Sequence, residues 1–261
     1  MAVPTFNGFS FNDTNWITER IQFKDFAERE VSQARINRRE GIKILGTEFV
    51  KKEITLSGKL VASSASSLQT ILDAMKRAVT IEEGNLVCET GRTYRATVSN
   101  LTLPDEHYNQ SVNSFEVTFV TSDPFSEGSL LTVVTPVPSG LTTFSGTVNI
   151  SGTYFARPSI VYTPPSATGN TLIKAVTMNH TPTGQSILVS GFNSSGVGGL
   201  TYQNQVTINC DDFTSFDGGT QINNSGAFPR WDPGVNAYTL VASGRAFPGG
   251  NVSVSYQPRY L

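Results

Sequence analysis

Hydrophobic and polar positions alternate most strictly over residues 50–62. Val50, Ile54, Leu56, Leu60 and Ala62 fall on one side, and Lys51, Glu53, Thr55, Ser57 and Lys59 on the other. Successive side chains of a strand point to opposite faces, so the pattern predicts one long strand with a single wet face. Gly58 interrupts it and marks a candidate bulge. The period then changes. Leu68, Ile71, Leu72, Met75 and Val79 recur at i, i+3, i+4, i+7 and i+11, one stripe of a helix. Ser63, Ser64, Ser66 and Ser67 offer hydroxyls for an N-cap, and Lys76 and Arg77 put cations where the helix dipole favours them. Gly84 and Asn85 turn the chain into a strand at 86–89. Thr90-Gly91 turns it back into 93–101, where Tyr94, Ala96 and Val98 alternate with Arg95, Thr97 and Ser99. Beyond a polar connection at 105–113, Phe115, Val117 and Phe119 alternate with Glu116 and Thr118, and Asp123-Pro124 ends the pattern.

Upstream of these elements, Phe6, Phe9 and Phe11 lie among Asn, Ser and Gly. Ile21, Phe23 and Phe26 lie among charged residues. Both stretches read as half-buried strands. Residues 32–41, with Arg35, Arg38, Arg39 and Glu40, read as a loop that Gly41 closes. The first half is therefore an antiparallel β domain with one packed α-helix. From residue 127 onward nothing reads as a helix. Short Val, Ile, Leu and Tyr runs at 147–150, 159–162, 171–177, 186–189, 205–209, 237–241 and 252–256 are separated by Gly, Pro, Asn and Ser, as in an antiparallel β-sandwich. Pro136 and Pro138 read as a stiff linker, and residues 193–199 as a loop tip. The expected fold class is thus mainly β, with an N-terminal domain at 1–127 and a C-terminal all-β sandwich at 128–261.

Composition sharpens the division. Residues 1–125 hold 14 Lys+Arg and 16 Asp+Glu, whereas residues 126–261 hold 5 and 5. Glycine runs the other way, 6 in the first stretch and 17 in the second, which points to two unlike halves. A net charge of -2 argues against nucleic-acid binding, which needs clustered Lys and Arg. No apolar run reaches membrane-spanning length, so no membrane association is expected. The opening residues show neither the basic nor the apolar region of a secretory signal. Cys88 and Cys210 sit in different halves and read as reduced thiols.

Candidate chemistry is sparse. His107 and His180 lie in polar, loop-like settings and read as solvated side chains. Neither cysteine has the close Cys or His neighbour of a zinc site, and no Gly-x-Ser-x-Gly elbow or phosphate-cradling glycine motif occurs. Asp211, Asp212 and Asp217 beside Gly218-Gly219 lack the alternating carboxylates of a calcium loop, and Asp217-Gly218 reads as a chain reversal. No catalytic residue, metal or cofactor is expected. Trp231, Tyr202 and Tyr238 stand in an Asn- and Gly-rich β domain, where exposed aromatics stack on sugar rings and buried ones fill a core. Trp231 and Tyr202 are the candidate glycan-stacking residues.

The order of pieces in the first half resembles the distal tail proteins of long-tailed, non-contractile bacteriophages, the Dit family. The likeness is carried by residues 54–100 (ITLSGKLVASSASSLQTILDAMKRAVTIEEGNLVCETGRTYRATVSN), by Asn37-Arg38-Arg39-Glu40-Gly41 and by Ser122-Asp123-Pro124-Phe125. In the second half, Val148-Asn149-Ile150-Ser151-Gly152 followed by Arg157-Pro158-Ser159-Ile160 is similar to the opening of the family's C-terminal sandwich. Phe228-Pro229-Arg230-Trp231-Asp232-Pro233-Gly234-Val235-Asn236 and Ser255-Tyr256-Gln257-Pro258-Arg259-Tyr260-Leu261 are similar to its close. Residues 163–204 carry no matching pattern.

The resemblance implies a virion structural protein, made in the host cytoplasm, that acts by assembly and without catalysis. It implies a homo-oligomeric, usually hexameric ring that joins the tail tube to the tail tip or baseplate. Expected partners are the tail tube protein, the tail hub and tip proteins and the tape-measure protein. The N-terminal domains would surround a channel through which DNA passes without specific binding. The C-terminal sandwich, galectin-like or similar to carbohydrate-binding modules, would lie outside. Candidate assembly contacts are Phe6, Phe9 and Phe11, and Arg35, Arg38 and Arg39 in the charged loop. The alternative is a tail adhesin whose sandwich binds a host surface glycan through Trp231 or Tyr202. A glycoside hydrolase would instead require two facing carboxylates.

Overall fold

A computed structural model describes residues 2–23, 29–35, 42–103, 112–165, 173–190 and 205–261. The chain divides into two compact units, one at 1–128 with Leu261 and one at 129–260.

The first unit holds β1 (Thr5–Phe6), β2 (Phe9–Ser10), β3 (Trp16–Phe23), β4 (Arg29–Arg35), β5 (Ile42–Phe49), β6 (Glu53–Val61), α1 (Ala65–Val79), β7 (Gly84–Glu89), β8 (Arg92–Thr102), β9 (Val112–Thr121) and β10 (Ser126–Glu127). Its main sheet is antiparallel in the order β2-β1-β7-β8-β9-β6-β3. Ile54, Leu56 and Leu60 of β6 are fully buried and their odd-numbered neighbours are partly wet, as the alternation predicts. The helix buries Leu68, Ile71, Leu72 and Met75 in the same core. Its N-cap is Ser64, whose hydroxyl accepts the Ser67 backbone N–H at 3.2 Å. The bulge expected at Gly58 falls on the partner strand: the register slips between Thr18 and Arg20, directly opposite Gly58 and Ser57. The Asn7-Gly8 turn between β1 and β2 has φ of 49° and 81°, both left-handed, the geometry a two-residue hairpin requires.

Strands β4 and β5 pair only with each other. The 32–41 stretch was expected to be a loop, but Ser32 to Arg35 complete β4, and Arg35 pairs with Ile42. Arg29, Glu30, Ser32, Gln33 and Arg35 hid this strand, because they leave it no hydrophobic alternation to read.

The second unit holds β11 (Leu131–Val137), β12 (Thr143–Ile150), β13 (Ser159–Thr163), β14 (Ala175–His180), β15 (Gln185–Ser190), β16 (Val206–Asn209), β17 (Thr214–Asp217), β18 (Thr220–Gln221), β19 (Asn223–Gly226), β20 (Gly234–Ser243), β21 (Gly250–Tyr256) and β22 (Arg259–Tyr260). One sheet runs β11-β21-β13-β16-β17-β18 and the other β12-β20-β14-β15-β19. Ile160, Val206 and Val254 from the first sheet share a single core with Val148, Met178 and Leu240 from the second, which makes a sandwich. Pro136 is not in a linker. It belongs to β11, an edge strand where a residue without an N–H is tolerated. Gly218 and Gly219, with φ of 56° and 89°, make the expected reversal between β17 and β18.

Candidate functional site: buried aromatics and an arginine cluster

The three N-terminal phenylalanines do not form an open contact surface. Phe6 and Phe11 are fully buried, and Phe9 is half-buried. The β1–β2 hairpin folds all three inward. Phe11 lies 6.2 Å from Trp16 and 6.0 Å from Phe119, and Phe6 lies 5.1 Å from Phe119. The reason is local: with Asn7-Gly8 as the turn, Phe6 and Phe9 become cross-strand partners on a sheet whose neighbour β7 is already in the core. Of the charged candidates, Arg35 ends β4, and Arg38 and Arg39 lie outside the described residues.

Tyr202 also lies outside the described residues. Trp231 is fully buried, so it is not a platform for a sugar. The His180 imidazole stacks on its indole with centroids 5.2 Å apart, and the Tyr238 ring lies 5.5 Å from it. His180 is not a solvated loop residue either: it ends β14 and is 1% exposed. Its environment fixes its tautomer. The Asn236 amide nitrogen donates to the carbonyls of Asp232 at 2.7 Å and Gly234 at 2.9 Å, which leaves its oxygen to face His180 Nε2 at 3.0 Å. Nε2 therefore carries the proton, and Nδ1 accepts from the Thr183 hydroxyl at 2.7 Å. Burial holds the imidazole below its ordinary pKa, against smaller upward pulls from the Asn236 hydrogen bond and the Asp232 carboxylate. This is a structural network around a neutral histidine.

Cys88 and Cys210 are free, and burial pushes each thiol up to about 12. Among the described residues no group of His, Cys, Asp and Glu side chains is placed to hold a metal ion. No described helix is long and apolar enough to cross a membrane.

Sequence reasoning missed a cluster in the second unit. Arg157, Arg230 and Arg259 bring their guanidinium carbons to 5.7, 5.3 and 5.8 Å from the centroid of the Phe155 ring. Tyr154 lies 4.4 Å from the same ring. Arg157 also lies 5.2 Å from Phe213, whose ring meets Phe228 at 5.7 Å. A signal was available: Arg157-Pro158, Pro229-Arg230 and Pro258-Arg259 each join an arginine to a proline, and all three prolines are buried.

Residues 9–121 match the family model of the phage tail protein RIFT-related domain. The first unit therefore carries a domain similar to that of phage tail proteins, and an all-β unit follows it. Over its whole length the chain has the fold of Dit. It is similar to the Dit protein of phage SPP1, a paradigm of the hub adsorption apparatus in phages that infect Gram-positive bacteria, with a TM-score of 0.72, 14% identity and 99% of both chains covered. Two baseplate structures of phage p2 in its activated conformation align at a TM-score of 0.40. The calcium form shows 8% identity over 91% of this chain and 90% of that one, and the strontium form 9% over 90% and 88%. No curated protein matches the chain in sequence.

Proposed function

We propose that this chain is a distal tail hub: copies of it close into a ring, six-fold as the family resemblance implies, between the tail tube and the tail tip or baseplate. It acts by assembly in the virion and catalyses nothing. The observation that carries the reading is the Dit fold over 99% of both chains, with a phage tail domain at residues 9–121.

The β4–β5 hairpin supports the same reading physically. It is a two-stranded ribbon outside either unit's larger sheets, and such a ribbon is at best marginally stable alone in water. A neighbouring subunit is the surface it packs on, and Arg35, which ends β4, and the sequence candidates Arg38 and Arg39 are the charges proposed for that contact. A closed ring repeats one head-to-tail interface, and charges of both signs in the first unit fix its register more than they add affinity. The tail tube, hub, tip and tape-measure proteins are the expected neighbours. A DNA channel must not hold phosphates, and the acidic excess of residues 1–125 suits that requirement.

Light scattering of the purified chain over a concentration series, with negative-stain microscopy, tests the reading. A six-fold ring with a central hole is expected. Monomer at every concentration, alone and with purified tail tube protein, overturns it.

A further inference from the structure

We propose that the arginine-rimmed aromatic patch at Phe155 is a contact surface for a second copy of this chain, which inserts the exposed acidic turn at residues 81–83. The proposal rests on the ring reading above.

Residues 129–260 carry five cationic side chains, Arg157, Lys174, Arg230, Arg245 and Arg259, and three of them converge on one ring. The convergence is built into the backbone. Ala156 bridges Trp231 and Tyr154 bridges Arg259, so each arginine leaves a position that the sandwich fixes. Asp211 lies 3.8 Å from Arg157. Asp212 accepts instead from the Asn209 amide at 2.7 Å. Arg230 is exposed and has no ion pair among the described residues.

Phe213 adds a second observation. It is 53% exposed with φ of 56°, a left-handed conformation that bulky L residues rarely adopt. Strain of this kind collects at functional positions, where it is part of the mechanism. Exposed aromatics beside arginines are also the composition of interface hot spots.

The complement is on the same chain. Past α1, Ile81 is 45% exposed, and Glu82 and Glu83 are exposed beside it; the Glu83 carboxylate accepts from the Ser122 hydroxyl, and neither has an ion pair among the described residues. An apolar side chain followed by two carboxylates suits an aromatic patch rimmed by guanidiniums. The two units differ in charge in the same sense. Residues 1–128 hold 14 Lys+Arg against 17 Asp+Glu, and residues 129–260 hold 5 against 4. Two unlike complementary patches on one chain make a head-to-tail contact, the kind that closes rings.

The test is analytical ultracentrifugation of the full chain at graded concentration and salt. Arg230→Glu removes a guanidinium, Phe213→Gly removes the ring but suits the left-handed turn, and Glu82→Arg reverses the other side. Each single variant should raise the ring dissociation constant at least tenfold with an unchanged melting temperature, and Arg230→Glu with Glu82→Arg should recover most of the loss. Rings of Arg230→Glu and Phe213→Gly as stable as the parent's overturn this inference and leave the ring reading standing. Weakening by Arg230→Glu without recovery in the double variant overturns residues 81–83 as the occupant. A parent chain that stays monomeric overturns the ring reading and this contact with it.

Discussion

The His180 imidazole lies parallel to the Trp231 indole, with ring centroids 5.2 Å apart and planes inclined by 9°. The pair closes one end of the β14–β20 pairing, where His180 faces Tyr238 across the two strands. It holds a titratable ring in a place that favours the neutral form.

Stability of the second unit should therefore depend on pH. The folded pKa of His180 lies below the ordinary 6.5 of an unfolded histidine. As pH falls through about 6.5 the unfolded chain takes up the proton first, so unfolding becomes easier. The contribution is complete above that value and is lost as pH falls through the folded pKa. Thermal unfolding followed from about pH 7.5 to about pH 5.5 should show a falling midpoint, and His180→Gln should flatten the decline. An equally steep decline in the variant would assign the effect to other groups.

Trp231→Ala should unfold the sandwich rather than remove a ligand. Emptying the space of a fully buried indole costs about 3–5 kcal/mol. Trp231→Phe should cost less, because Nε1 has no acceptor among the described residues and its loss strands no partner. Denaturant titration gives both values; a Trp231→Ala chain as stable as the parent would contradict the burial.

Neither thiol should react in the native protein. Cys88 and Cys210 are 2% and 1% exposed, and their pKa values near 12 leave almost no thiolate at neutral pH. A colourimetric thiol reagent should label no site in buffer and two in denaturant. Fast labelling of one site in buffer would mean that its unit opens locally.

Gly58→Ala should be among the costliest single changes in the first unit. An added Cβ would lie 2.0 Å from the Ile17 carbonyl oxygen, a backbone atom that cannot swing away. The expected loss is about 3 kcal/mol. A melting temperature within a degree of the parent's would show that β3 shifts freely along β6.

The two units were legible in unequal measure. Residues 50–62 and 68–79 announced their strand and helix, because one face of each meets a core and the other meets water. The β4 strand was not legible, since Arg29, Glu30, Ser32, Gln33 and Arg35 leave it no hydrophobic alternation. Phe6-Asn7-Gly8-Phe9 held an overlooked hairpin signal, and reading it would have turned Phe6 and Phe11 toward the core. His180 and Trp231 misled in the same way: the polar Asn236, near Trp231 in the sequence, is a buried hydrogen-bond partner of the imidazole, and both rings are covered.

The sequence by itself determined the periods of the strands and helix, the two unlike halves and the chain reversal at Asp217-Gly218. Each of these depends on residues close together along the chain, where side-chain spacing and backbone preference act directly. Only the tertiary structure decided which aromatics are covered, which tautomer His180 holds, and that three distant Arg–Pro pairs converge on Phe155. Those outcomes depend on which strands pair, and β-bridges join residues as far apart in the chain as Tyr154 and Arg259.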